Sequence, residues 1–173
     1  MTTHRTLLLL RHAKSDWSTG TSDDFSRPLS RRGTMDSPGM GAWMKRNGLK
    51  PDYIVSSTAT RARQTTELVC DAAGFHPGII IWNADLYLAD LQTLLDITGN
   101  LPEPAITVML VGHNPGMEAL LLYLAGNEIR VPKNGKYLPT ATLAQLLVDG
   151  SWHNLSAGAA GLVDIMRPRN LPR

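Results

Sequence analysis

The chain has 173 residues, the length of one ordinary domain with room for a real core. Apolar residues make up 43% and charged residues 18%, which excludes a disordered chain; 17 Lys and Arg against 15 Asp and Glu leave a net charge of +2, too balanced to mark a nucleic-acid or membrane-surface binder. The one cysteine, Cys70, excludes an internal disulfide and any CxxC metal or redox motif, and suits a reducing compartment.

The apolar run Leu7 to Leu10 is too short for a signal segment and is closed by Arg11. No stretch approaches the ~20 apolar residues of a membrane helix, so a cytoplasmic protein without a membrane partner is expected. Thr6 to Leu10 reads as a buried strand. Arg31 to Asn47 reads as a helix that Pro38 and Gly39 disturb and that ends near Gly48. Tyr53 to Val55 is a short strand, Ala59 to Ala73 a helix stopped by Gly74, and Gly78 to Trp82 another short strand. Leu91 to Thr98 is a helix, Ile106 to Val111 a strand and Pro115 to Ala125 a helix. Thr142 to Val148 and Leu162 to Met166 are late strands. Helices alternating with continuous apolar strands predict an α/β layered fold with a mostly parallel sheet, in one domain spanning residues 1–173. Such folds bind ligands outside the carboxyl ends of their strands.

Three polar clusters follow apolar strands. They are Arg11-His12-Ala13-Lys14-Ser15, Ser56-Ser57-Thr58-Ala59-Thr60-Arg61 and Gly112-His113-Asn114-Pro115-Gly116. Parallel strands would bring all three to one sheet edge, placing two arginines beside two histidines. Arg11 and Arg61 offer forked donors to phosphate oxygens. Thr58 and Asn114 are placed to cap two helices whose N-termini would favour the same anion. A neutral imidazole can attack phosphorus, and a second, protonated one can stabilise the transferring group. Taken singly, each residue has a plainer role: a solvated Arg, a hydrogen-bonded structural His, a cap without a ligand, a turn glycine. His12 and His113 with a carboxylate could hold a metal, but two flanking arginines repel a divalent cation, so no cofactor is expected. The sequence has no GxxxxGK[ST], no GxGxxG after its first strand, no HExxH and no GxSxG.

Leu-Leu-Arg11-His12-Ala13-Lys14-Ser15-Asp16-Trp17 resembles the defining motif of the histidine phosphatase, or phosphoglycerate-mutase-like, superfamily, and in particular its small SixA-type phosphohistidine phosphatases. Arg27-Pro28-Leu29-Ser30-Arg31-Arg32-Gly33, the segment Ser56 to Thr65, Leu86-Tyr87-Leu88-Ala89 and Val111 to Gly116 resemble its later blocks, in order. Ala13 stands where the wider superfamily has Gly. The resemblance implies a three-layer α/β/α sandwich and a metal-independent phosphatase. His12 would form a transient phosphohistidine, with Arg11, Arg61 and His113 completing a phosphate pocket and Ser15 adding a hydrogen bond or capping a turn. Asp85 is the leading position for a general acid, or else an exposed strand-end carboxylate; Asp16 and Asp90 are poorer candidates.

A phosphohistidine leaves as imidazole and needs less acid help than an alkoxide, which favours a phosphorylated protein as substrate. The alternatives are a phosphatase of small phosphomonoesters and a phosphate-binding module without catalysis. The basic stretch Asn127 to Pro139, with Arg130, Lys133 and Lys136, is either a solvated loop or a contact to an acidic partner. Cys70 is expected to be a buried structural thiol.

Overall fold

The computed structural model describes residues 4–20, 23–126, 129–130 and 132–172. Of the basic stretch 127–139, residues 127, 128 and 131 lie outside the described set; Arg130, Lys133 and Lys136 are exposed. In chain order the elements are β1 (His4–Arg11), α1 (Arg31–Arg46), β2 (Tyr53–Ser57), α2 (Thr60–Ala73), β3 (Ile80–Asn83), α3 (Leu91–Gly99), β4 (Thr107–Gly112), α4 (Gly116–Ala125), β5 (Leu143–Asp149) and β6 (Ala160–Met166).

The strands form one mixed sheet in the order β3-β2-β4-β1-β5-β6. The pairs β2–β3, β2–β4 and β1–β4 are parallel, whereas β5 runs against both β1 and β6. The hydrophobic pattern explains the layers. In β1, Leu7 and Leu9 join one core and Leu8 and Leu10 the other, all fully buried. β4 splits the same way, with Val108 and Leu110 on the first face and Met109 and Val111 on the second. A central parallel strand buried on both faces must read as a continuous apolar run, and both strands do. α3 and α4 cover the first face through Leu94, Met117, Leu120, Leu121 and Leu124. α1 and α2 cover the second through Met40, Trp43, Met44, Val69 and Cys70. The α/β/α layering expected from the sequence is therefore the observed fold, and the Cys70 thiol is buried as expected.

Two local readings change. The helix α1 continues through Pro38 without a break. A proline there removes a bond to the carbonyl four residues back, but that carbonyl belongs to exposed Thr34, where water can replace it. The strand expected from Gly78 begins instead at Ile80, because Pro77–Ile79 form a 3₁₀ turn capped by the His76 ring, which accepts from the Gly78 N–H.

The glycines of α1 set its distance from its neighbours. A Cβ on Gly41 would overlap the Val69 carbonyl oxygen of α2, so the two helices touch backbone to backbone there. Gly161 in edge strand β6 meets nothing within 4 Å. Gly41→Ala should therefore lower the unfolding free energy by about 1–3 kcal/mol through overpacking, while Gly161→Ala should stay within about 0.5 kcal/mol of wild type. Urea unfolding of the two variants checks this; equal effects would mean that the α1–α2 approach is not tight.

Candidate active site

The adjacent parallel strands β2, β4 and β1 end level with one another. Arg11 is in register with Gly112, and Ser56 with Val111. The His12 N–H donates to the Gly112 carbonyl at 3.0 Å. The chain beyond each strand therefore opens onto one edge, and the three polar clusters meet there. Arg11, His12, Ser15, Arg61 and His113 line one cavity of about 430 Å³, together with Lys14, Asp24, Arg27 and Asn114.

His12 is 7% exposed, and its Nδ1 lies 2.8 Å from the Ala13 carbonyl oxygen. A carbonyl only accepts, so Nδ1 carries the hydrogen and Nε2 keeps its lone pair. Nε2 in turn accepts from Arg61 Nε at 3.3 Å. Burial, with His113, Arg61 and Arg11 nearby, pushes the His12 pKa down to about 3, against the opposing bond to Ala13. The imidazole is thus neutral, oriented and nucleophilic at its cavity-facing nitrogen. Ala13 holds the backbone: its N–H donates to Thr65 Oγ1 at 2.9 Å, and Thr65 bonds back to the Arg61 carbonyl at 2.7 Å.

His113 packs 4.9 Å from the His12 ring, centroid to centroid. Its Nε2 lies 2.8 Å from Ser57 Oγ, and its buried Nδ1 has no partner. Burial first, then the Arg61 charge, lowers its pKa to about 3. Burial thus favours the neutral form of this second histidine. Arg11 donates from Nη1 to the Leu138 carbonyl at 3.0 Å, and its Nε has no partner.

Sequence reasoning missed Asp24. Its carboxylate accepts from Arg27 Nη2, from Arg61 Nη2 at 2.9 Å and from the Tyr87 hydroxyl at 2.7 Å. Arg61 Nη1 also donates to the Asp24 carbonyl at 2.6 Å. The bond from Arg27, then Tyr87 and Arg61, hold this carboxyl far below its ordinary range. Arg61 is 2% exposed, so Asp24 supplies the counter-charge for a buried guanidinium and fixes its Nε toward His12. The available signal was an acid three residues before Arg27, the first residue of a resembling block.

Three expectations are corrected. Asp85 lines a different cavity, about 390 Å³, with Tyr53, Ile97 and Asn100, and its N–H donates to Asn83 Oδ1. Neither expected cap forms: Ala59 and Pro115 occupy the cap positions without side-chain bonds. Asn114 Nδ2 donates instead to Glu118 Oε1 and to the Leu138 carbonyl, and the Thr60 N–H at the start of α2 donates to Phe25 O. Ser15 does line the cavity, but its Oγ accepts from Arg27, leaving its own hydrogen to give.

Four cations, Arg11, Lys14, Arg27 and Arg61, thus surround a cavity with one carboxylate among its described lining residues. Such a space takes an anion. Residues 7–84 match the model of the histidine phosphatase superfamily, branch 1. A Mycobacterium tuberculosis protein of uncharacterized function is 34% identical over 167 residues, 92% of this chain and all of that one.

The chain belongs to the histidine phosphatase superfamily. A solved structure from Agrobacterium tumefaciens, provisionally named phosphohistidine phosphatase SixA, is 32% identical, with TM-score 0.80 over 95% of this chain and 98% of that one. A second of the same provisional name, from Nakamurella, has TM-score 0.81 and 27% identity, covering 95% and 96%. Among the described residues of this histidine phosphatase no cluster of three or more His, Cys, Asp or Glu side chains could hold a metal ion.

Two outcomes follow from this geometry. His12 and His113 bind protons in the unfolded chain below its ordinary pKa of 6.5 but stay neutral in the fold down to about 3. Their burial therefore costs nothing above pH 6.5 and destabilises progressively as pH falls toward 3. Replacing either by Gln should flatten the acid limb of stability by up to about 1.4 kcal/mol per pH unit. Urea midpoints measured from pH 7 to 4 test it; an unchanged slope would place a charged imidazole in the fold. Asp85→Asn should leave phosphate release at the wild-type rate, and a large loss would return Asp85 to the site.

Proposed function

We propose that this histidine phosphatase hydrolyses protein phosphohistidine through a covalent intermediate on His12. What carries the reading is that the one carboxylate found among the described lining residues, Asp24, is held ionised by Arg27, Arg61 and Tyr87. It has no proton to give a leaving group. An alkoxide leaving from a phosphomonoester needs such a proton, whereas a phosphoimidazole protonated on its distal nitrogen leaves as neutral imidazole.

In the first step His12 Nε2 attacks phosphorus while the substrate's P–N bond breaks and its electron pair returns to the departing imidazole. Arg11, Arg61 and the unpartnered His113 Nδ1 are placed to hold the phosphoryl oxygens, Nδ1 as donor in the tautomer whose Nε2 accepts from Ser57. The intermediate is a phosphoimidazolium whose Nδ1–H still bonds to the Ala13 carbonyl. In the second step water attacks phosphorus, the bond to Nε2 breaks, and His12 returns neutral. Inorganic phosphate leaves and water's spare proton goes to solvent. Both steps expel a neutral imidazole, so neither needs an acid from the protein.

With chelator present, wild type should release phosphate from a phosphohistidine protein much faster than from an aryl phosphate, and His12→Ala should lose both activities by at least about a thousandfold. Equal rates on the two compounds would favour a general phosphomonoesterase. Phosphate binding without turnover on either would favour a binding module.

A further inference from the structure

The cavity is graded from a buried floor to an apolar mouth. Its floor is His12, Arg61 and His113, at 7%, 2% and 2% exposure; two of its other lining residues are Trp17, 74% exposed, and Leu88, 53% exposed. A phosphoryl group bound on the floor for attack by His12 Nε2 would direct its leaving group away from that nitrogen, out of the buried floor of the cavity that these two exposed side chains also line. We propose that Trp17 and Leu88 form a binding site for the leaving group, built for a flat unsaturated ring such as the imidazole of phosphohistidine. The proposal rests on the phosphohistidine reading above and adds the residues that select the ring.

Trp17 is exposed yet fixed. The Arg27 guanidinium carbon lies 3.5 Å from its ring centroid, covering one face. Arg27 is itself pinned by Ser15 Oγ and the Asp24 carboxylate. The backbone is tied on both sides of Trp17: Asp16 N–H donates to the Pro28 carbonyl at 2.9 Å, and Ser18 donates to Asp16 Oδ1 from its N–H at 2.8 Å and its hydroxyl at 2.6 Å. A free surface indole loses side-chain entropy on stacking, and this one has surrendered much of it already. Its second face remains open, which the high exposure requires. Leu88 adopts φ +50, a left-handed conformation that leucine rarely takes. Strained backbone of this kind persists where surrounding structure enforces it, commonly beside ligands. Here it carries an apolar side chain at the mouth of a cavity otherwise rich in cations. An imidazole ring stacks on an indole face and tolerates an apolar neighbour; ammonia or a small acyl group gains nothing from either.

The test compares two substrates that share a P–N bond and differ in the ring: 1-phosphoimidazole and phosphoramidate. Trp17→Ala should raise KM for phosphoimidazole about tenfold more than for phosphoramidate, the size of effect that loss of one aromatic stack gives. Trp17→Phe should recover most of that difference. Leu88→Gly, which suits φ +50 and removes the side chain, should shift the two KM values in the same sense by a smaller factor. Thermal unfolding of each variant confirms that the fold persists. Wild-type turnover of both compounds with equal losses in Trp17→Ala, or with none, would overturn the ring site while leaving the phosphohistidine reading intact. Failure of wild type on both compounds would overturn the phosphohistidine reading, and the ring site with it.

Discussion

The parallel register of β2, β4 and β1 is the constraint from which the site follows. Parallel neighbours end at the same edge, so whatever each strand carries next is delivered to one place. Arg11 is the last residue of β1, and His12 continues the ladder by one bond to Gly112. His12 and His113 therefore arrive about one strand spacing apart, their rings 4.9 Å from centroid to centroid. The two-sided burial of these strands fixes that register, because a slip by one residue would exchange the apolar sets that α1 with α2 and α3 with α4 cover.

Within that frame, desolvation and charge work on each other. Burying the Arg61 cation costs several kcal/mol unless it is paired, and Asp24 pairs it from the solvent side. Pairing uses Nη1 and Nη2 and leaves Nε for His12. The same burial that makes Arg61 need a partner removes the proton from both histidines. The site is therefore a cavity with surplus positive charge, a neutral His12 and unpartnered nitrogens at Arg11 Nε and His113 Nδ1. The proposed phosphoryl dianion would supply the missing charge and accept from Arg11 and, in the tautomer with hydrogen on Nδ1, from His113.

Most of this was legible in the sequence because it depends on local patterns. The double-faced apolar runs of β1 and β4 announced central parallel strands, and the polar residues after them announced an edge site. The four residues Arg11, His12, Arg61 and His113 follow directly. Asp24 was hidden because its partners Arg61 and Tyr87 are distant in sequence and meet it only through tertiary folding. The caps at Thr58 and Asn114 failed for a related reason. Each is a good cap in isolation, but Phe25 takes the Thr60 N–H and Leu138 takes the Asn114 amide. Asp85 was placed one residue before a resembling block, yet the 3₁₀ turn Ala84–Leu86 carries it toward α3 and away from His12. Charge state also lay beyond the sequence: only burial shows that His113 is neutral.

The depressed basicity of His12 bears on the direction of the proposed reaction. Transfer from a substrate imidazole to His12 exchanges one P–N bond for another and would be near balance between identical rings. The rings are not identical, because His12 sits where its protonated form is strongly disfavoured. A less basic nitrogen is a better leaving group, so in the proposed mechanism a phosphoryl bond to His12 Nε2 would break toward water more readily than the bond it replaces. In that mechanism the surrounding cations would hold the phosphoryl group during the exchange. In the proposed mechanism, burial of His12 would thus serve the first half-reaction by keeping Nε2 unprotonated at neutral pH, and the second by making His12 the better leaving group.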